Sequence, residues 1–537
     1  MTDAAALRAQ AEAWIAQDPD PFTRDELTKV LDDPAELEDR FGSRLKFGTA
    51  GLRGALGAGP NRMNRVVVAQ AAAGLAAYLL RTPAEQRKGR VAIGYDARYN
   101  SRQFAMDTAE ILQGAGFDAY VAPRILPTPF AAFCVQHLDC DAGVMVTASH
   151  NPPQDNGYKV YAGNGAQIIP PMDREIEAEI LKVAERPISE IPRRIGFIDT
   201  PEEVVEEYFN RVAALARAED RNITIAYSAM HGIGAESVLT TLQKAGFPPV
   251  AVVPQQLAPD PTFHTVDFPN PEEPGAMDLV EELAADIGAD IAIANDPDAD
   301  RIALSIGGRR LTGDETGYLL GDYVIRTTSG PDRMVANSLV SCSLLGEIAK
   351  RHGVEHKETL TGFKWIMNAG DNVIYGYEEA LGYGCAPSIA RDKDGVSAAL
   401  MACDIAAALK QEGKTILDRL DELALEYGYY ATGQLSVRVE DLSLIGKAMD
   451  HLRANPVTEV LGKPVTVFND DTENKIVTVK ADGVRAIVRP SGTEPKLKCY
   501  LQVVVPVEGE DLASARTRGD EFLALLKEEM RVALGLA

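Results

Sequence analysis

Asp296, Asp298 and Asp300 stand at alternate positions in Asp296-Pro297-Asp298-Ala299-Asp300-Arg301, directly after the apolar strand-like run 290–295. Three carboxylates on one short turn repel one another unless a cation sits among them. All-oxygen ligands favour a hard divalent ion, magnesium or calcium. The calcium-loop pattern fails here: its glycine position is Arg301 and its closing glutamate position is Gly307. Three protein carboxylates also leave room on the ion for a phosphate oxygen, as magnesium sites commonly do.

The second candidate is Ser149 in Thr147-Ala148-Ser149-His150-Asn151-Pro152, after the apolar run 142–146. That run reads as a buried strand, and Asn151-Pro152-Pro153 as a turn that cannot continue it. Ser149 is therefore expected on a loop at a strand's carboxyl end, where open α/β sheets present their chemistry. A lone Ser-His pair is ordinary turn material. An acyl-transfer serine wants a Gly-x-Ser-x-Gly elbow, and Thr147 and Asn151 occupy the flanking positions. A serine that faces a magnesium loop and phosphate-grade cations fits phosphoryl transfer instead.

Such cations are present. Phe47-Gly48-Thr49-Ala50-Gly51-Leu52-Arg53-Gly54 joins glycines, which suggest backbone close to a ligand, to one arginine. Arg489-Pro490-Ser491-Gly492-Thr493 offers a guanidinium, two hydroxyls and a freed backbone, an inventory suited to phosphate. Glu378 and Glu379 can accept from sugar hydroxyls, although opening a helix is the commoner role of an acid pair. Lys393 precedes Asp394-Gly395, and Lys364 lies in Thr361-Gly362-Phe363-Lys364-Trp365.

The elements that must position these groups alternate. Helices are expected at 4–16, from a cap at Thr23, and at 66–80 and 102–115, with strands at 90–96 and 119–121. Strand-helix alternation indicates an α/β unit with a largely parallel sheet. A linker is placed near residue 200, where 187–203 shows little period. A second unit opens at 223–227; its Gly232 and Gly234 lack the third position of a dinucleotide fingerprint, which is Ser237. A third begins near Thr316. After about residue 430 short strands and a last helix, 511–534, read as a smaller α+β domain. The expected division is 1–200, 201–315, 316–430 and 431–537: three consecutive α/β domains with mixed sheets, then the α+β domain.

The 537 residues carry a formal net charge of −25, with 46% hydrophobic residues. Such acidity argues against nucleic-acid or anionic-membrane partners, and no stretch approaches the roughly 18 apolar residues of a membrane helix. Six scattered cysteines without a Cys-x-x-Cys pair fit neither a disulfide framework nor a zinc site, and suit a reducing cytoplasm.

With these motifs in this order, the chain resembles the α-D-phosphohexomutases (phosphoglucomutase and phosphomannomutase). The 147–152 segment looks like the family's phosphoserine loop and 296–301 like its magnesium loop. Residues 376–382 look like its sugar-recognition loop, and 489–493 like its last phosphate-binding loop. The resemblance implies a heart-shaped, four-domain fold with the active site in a central cleft. It implies that Ser149 carries the phosphoryl group, and that Asp296, Asp298 and Asp300 bind one magnesium ion with the Ser149 phosphate as a further ligand. By the same resemblance Arg53, His150, Lys159 and Lys393 belong to the catalytic surroundings. Arg301, Lys364, Glu378, Arg489, Ser491, Gly492 and Thr493 would bind substrate.

The implied reaction moves phosphate between glucose 1-phosphate and glucose 6-phosphate through glucose 1,6-bisphosphate, which is both activator and intermediate. Two positions depart from the common pattern: Ala380 stands where many members have serine, and Phe363 where the dual-specificity members have histidine before lysine. The wording is most similar to the phosphoglucomutase-2 and phosphopentomutase branch. That leaves phosphopentomutase, phosphomannomutase and glucose 1,6-bisphosphate synthase as alternatives on the same scaffold, with the general base open among Lys393, Lys364 and Lys159. An aspartate-nucleophile phosphatase is the different-class alternative, because Asp296-Pro297-Asp298 follows a strand. Monomer and dimer both remain open.

Overall fold

The computed structural model describes residues 4–48, 51–439, 441, 443–491, 496–507 and 511–536. Three mixed sheets and one antiparallel sheet follow one another along the chain. In the first, strands run in the order Leu52–Ala55, Asp155–Ala162, Ala142–Val146, Arg90–Tyr95, Asp118–Val121 and Ile198–Asp199. The last four are parallel, whereas Asp155–Ala162 is antiparallel to both of its neighbours. Every residue of Ala142–Val146 is buried, as a central strand covered on both faces requires. Its antiparallel register sets Met145 opposite Lys159, which brings Lys159 beside the Ser149 loop.

The second sheet contains Ile225–Ser228, Ile291–Asn295 and Ile302–Ile306 at its centre. The last two are fully buried and antiparallel, so the three aspartates lie on the tight turn between them. Arg301 bridges to Gly382. The turn therefore ends against the hairpin of the third sheet, in which Val373–Glu378 pairs antiparallel with Gly382–Gly384. Helix Gly395–Gln411 is capped by Asp394, and the Gly395 amide donates to the Ala299 carbonyl. The fourth sheet is wholly antiparallel, and helix Leu512–Ala533 packs on its strands Tyr429–Arg438 and Lys496–Val505.

One contiguous apolar core runs from Leu7 to Leu423 through the first three units. The last unit has its own core, which includes Leu452, Val479, Leu501 and Leu526. The two meet at a small cluster of Val340, Ile476, Ile487 and Tyr500. Polar ties flank it: Arg485 Nη1 donates to Glu358 Oε1 at 2.8 Å, and Gln502 Nε2 to Ser343 Oγ at 2.8 Å.

Local chemistry moves several expected boundaries. The second helix is Pro21–Lys29 and is capped by Asp20, not Thr23, because Pro21 suits a first helical position and the Asp20 carboxylate accepts from the Phe22 amide. Thr23 instead donates to Asp18. The third unit's first helix begins at Gly313, where Thr312 and Glu315 form a reciprocal capping box. The segment read as linker supplies the edge strand Ile198–Asp199. Glu378 and Glu379 lie at a hairpin turn rather than a helix start. Gly51 serves packing: at φ +76° its Cα faces the Tyr158 carbonyl, and a Cβ there would lie 1.8 Å from that oxygen.

Candidate active site

A cleft of about 1430 Å³ is walled by residues of all four units, among them Arg53, His150, Glu272, Arg301, Glu379, Ser491 and Lys498. His150, Asn151 and Pro152 line it just after the strand Ala142–Val146 ends, where the backbone turns through Ser149 with φ +53°. The Ser149 amide donates to Thr147 Oγ1 at 2.8 Å, which fixes this left-handed conformation. Ser149 Oγ donates to Asp296 Oδ2 at 3.0 Å, while His150 Nδ1 is farther, at 3.4 Å. The serine's close partner is thus the aspartate turn 147 residues on.

The three aspartate side chains are fully buried, with carboxylate oxygens within 4.8 Å of one another. Burial pushes the Asp296 carboxyl well above the usual range, and repulsion from Asp298 and Asp300 adds to it. Burial also opposes ionisation of Asp298, but the Lys159 ammonium and the Thr128 hydroxyl outweigh it and hold that group far below its ordinary value. Lys159 Nζ lies 2.8 Å from Asp298 Oδ2 and 2.9 Å from Asp300 Oδ2; Lys393 Nζ lies 3.1 Å from the latter. Arg301 Nε is 3.7 Å from Asp300 Oδ1. Even so, Asp298 Oδ1 and Asp300 Oδ1 are buried without a hydrogen-bond partner among the described residues. Orphaned carboxylate oxygens in so dry a place are what a hard cation would satisfy, so the donor set fits magnesium.

The remaining expected residues divide. Arg53 Nη1 donates to Asn151 Oδ1 at 3.0 Å, which places it over the serine loop. Burial, with Arg301 and Arg53 nearby, lowers His150 well below ordinary histidine, so it is neutral there. Lys393 threads past Gly382, where a Cβ would come within 2.3 Å of the lysine Cδ. Burial raises the Glu378 carboxyl, with Lys393 and Arg301 drawing it back. Arg489 ends a strand of the last sheet and hydrogen-bonds Tyr500. Ser491 lines the cleft and its amide donates to the Lys496 carbonyl at 2.8 Å. Gly492 and Thr493 lie outside the described residues. Lys364 is not brought to the aspartates: its closest ring is Trp365, and its charged neighbour is Asp173 of the first unit.

Three contributors escaped the sequence reading. Thr128 Oγ1 donates to Asp298 Oδ2 at 2.7 Å from the start of a helix in the first unit. Glu272 lies 4.0 Å from Arg301. Arg98 is buried and donates to four carbonyls: Ser149 at 2.6 Å, Asn151 at 2.5 Å, Pro152 at 2.8 Å and Asp155 at 3.2 Å. An Asp-x-Arg directly after a buried strand was the available signal for Arg98.

Family models for the phosphoglucomutase/phosphomannomutase alpha/beta/alpha domains I, II and III match residues 44–187, 206–308 and 312–427, and the C-terminal domain model matches 435–521. The chain belongs to the phosphoglucomutase/phosphomannomutase family. It is a phosphosugar mutase, an isomerase of a magnesium-dependent family. Among curated proteins it is 47% identical to the Haemophilus influenzae protein named "Probable phosphomannomutase", over 87% of this chain and 97% of that one. It is 34% identical to the phosphopentomutase of Mus musculus over 98% and 94%. The open form of the Paramecium phosphoprotein pp63/parafusin, a phosphoglucomutase, superposes with a TM-score of 0.70 at 20% identity, covering 92% and 97%. That likeness concerns the fold alone.

Two outcomes are expected. Arg98→Lys removes the planar fork that holds four carbonyls of the serine loop. It should lower kcat on the preferred sugar phosphate about 100-fold while changing KM little; steady-state kinetics checks this, and an unaltered kcat contradicts it. Burial pulls Lys364 down to about 8, whereas unfolded lysine titrates near 10.4. The folded state therefore bears the full desolvation cost below pH 8 and sheds it as pH rises toward 10.4. Lys364→Met should stabilise the protein at pH 7 by on the order of 1–3 kcal/mol, with the gain over wild type shrinking between pH 8 and 10.4 in urea denaturation.

Proposed function

We propose that the enzyme interconverts glucose 1-phosphate and glucose 6-phosphate through a phosphoserine at Ser149, with glucose 1,6-bisphosphate as the intermediate and activator. The observation that carries this reading is the hydrogen bond from Ser149 Oγ to Asp296, inside a triad with two unsatisfied oxygens, next to His150 and Arg301 in the wall of a cleft lined by all four units. A phosphoryl group on Ser149 would extend that contact to the ion the triad holds. Magnesium there would supply electrostatic stabilisation to the phosphoryl group in transit.

The chain's own residues do the rest. Ser149, held at the strand end by Thr147 and Arg98, presents its oxygen in a single direction. The bond from Ser149 Oγ to phosphorus breaks as the free sugar hydroxyl bonds to phosphorus, and that hydroxyl's proton ends on Ser149 Oγ. The bisphosphate then turns in the cleft and returns its other phosphoryl group to the serine oxygen. Lys159, Arg53 and Arg301 offset the charge at the transfer end. Glu378 would hold sugar hydroxyls. Arg489 and Ser491, with Gly492 and Thr493 of the same loop, would grip the phosphate that stays behind; guanidinium and hydroxyl donors suit that task. The six cysteines are unpaired and buried, which supports a reducing, cytoplasmic setting.

A phosphopentomutase is the second reading, favoured by the likeness to the mouse phosphopentomutase along nearly the whole chain. Ser149→Ala should lose mutase turnover by at least about 10³-fold. The ratio of wild-type kcat/KM for glucose 1-phosphate over ribose 1-phosphate, measured with and without added glucose 1,6-bisphosphate, should exceed one; a ratio well below one replaces glucose with pentose.

A further inference from the structure

Outside the cleft, a second group of metal-type donors lies on the far side of the aspartate turn. His231, Asp260 and His264 offer ligand atoms that all lie within 4.8 Å of one another. We propose that these three residues form a separate site for a borderline divalent d-block cation, zinc in type, distinct from the all-oxygen magnesium triad. Two imidazoles and one carboxylate are a mixed set that suits zinc or cobalt, with a fourth position open to water.

The backbone fixes two of the three ligands before any ion arrives. The His231 amide donates to the Gln256 carbonyl and the Asp260 amide to the His231 carbonyl, each at 2.9 Å. The side-chain network then settles which imidazole nitrogen carries the lone pair. Ser228 Oγ donates to Gln256 Oε1 at 2.6 Å, so the amide nitrogen of Gln256 faces Thr265 and donates to its hydroxyl at 2.9 Å. His231 Nε2 lies 2.8 Å from the same hydroxyl. The ring also hydrogen-bonds the Ala258 backbone; with the ring proton given to that backbone from Nδ1, Nε2 is the acceptor toward Thr265. A backbone carbonyl on Nδ1–H is the usual preparation of a metal-binding histidine; an ion at Nε2 would take the lone pair that now accepts from the Thr265 hydroxyl.

Asp260 Oδ1 is spent on the Thr262 amide and hydroxyl, at 2.8 and 2.7 Å. Its Oδ2 faces His264 Nδ1 at 2.8 Å, where a cation would replace the shared proton. The His231 and His264 rings lie 4.4 Å apart between centroids. His264 is largely exposed, so it can close the small remaining gap to a tetrahedral ligand spacing.

The location gives the site a consequence. Ile233, two residues after His231, donates its amide to the Pro297 carbonyl at 2.9 Å. Phe263, beside His264, lies under the Arg98 guanidinium at 5.0 Å. An ion bound here would fix the 260–264 turn against the two loops that carry Asp296 and Ser149.

Cobalt(II) chloride tests the proposal, added to the full-length protein in excess magnesium. Cobalt in a four-coordinate site of nitrogen and oxygen donors gives strong visible d–d absorption; in the octahedral all-oxygen triad it gives only weak bands. The expected result is one strongly absorbing cobalt per chain. The band should survive Asp298→Asn, and His264→Gln should weaken cobalt binding at least about tenfold. His264→Gln changes an exposed side chain, so its circular dichroism should match wild type. No strong band in the wild type, or a band that His264→Gln leaves intact, overturns the proposal.

Discussion

Three carboxylates that share a space 4.8 Å across with no exposure to water cannot all be ionised unless positive charge surrounds them. At about 4 Å each like-charged pair costs on the order of 4 kcal/mol at an effective dielectric near 20. The surroundings answer with Lys159 and Arg53 from the first unit, Arg301 from the second and Lys393 from the third. No single unit supplies enough of this charge. The electrostatics of one turn therefore require three units to meet in a fixed arrangement, and their shared apolar core makes that arrangement rigid. Two oxygens are still unpartnered, and this residue of unsatisfied charge is what adapts the site to a hard cation and a phosphoryl group.

The fourth unit obeys a different constraint. Its core is separate, and it meets the third unit through a four-residue apolar cluster flanked by Arg485 and Gln502, through Tyr430 packed on the common core, and through an ion pair from Arg516 to Asp421. The division of cores sets Ser149 and the aspartates on the common body and the Arg489–Ser491 segment on the separately packed unit.

Legibility in the sequence followed the range of the interaction. The aspartate turn and the serine loop could be read because each is a local pattern after an apolar strand. The order of strands and helices was readable for the same reason. Arg98 and Thr128 were not recognised, since their roles come from carbonyls and a carboxylate reached only through tertiary packing, 51 to 170 residues away. Lys364, which the resemblance assigns to substrate, has Trp365 and Asp173 as neighbours, and the contact with Asp173 of the first unit is one that no local pattern announces. The acid pair Glu378-Glu379 reads locally as a helix start, whereas pairing with Gly382–Gly384 makes it a hairpin. His231, Asp260 and His264 carry no spacing signature, because the 28 residues between His231 and Asp260 fold back through backbone bonds that no local pattern announces.

The central claim is that Ser149, not Asp296, carries the phosphoryl group, with Asp296 as its partner. Purified enzyme incubated with magnesium and glucose 1,6-bisphosphate, quenched in acid, digested and sequenced by mass spectrometry tests this directly. The account predicts phosphate on the peptide that contains Ser149, stable to hydroxylamine as a phosphoester is. Phosphate on the Asp296 peptide that hydroxylamine removes, as it would an acyl phosphate, with none on Ser149, would contradict it.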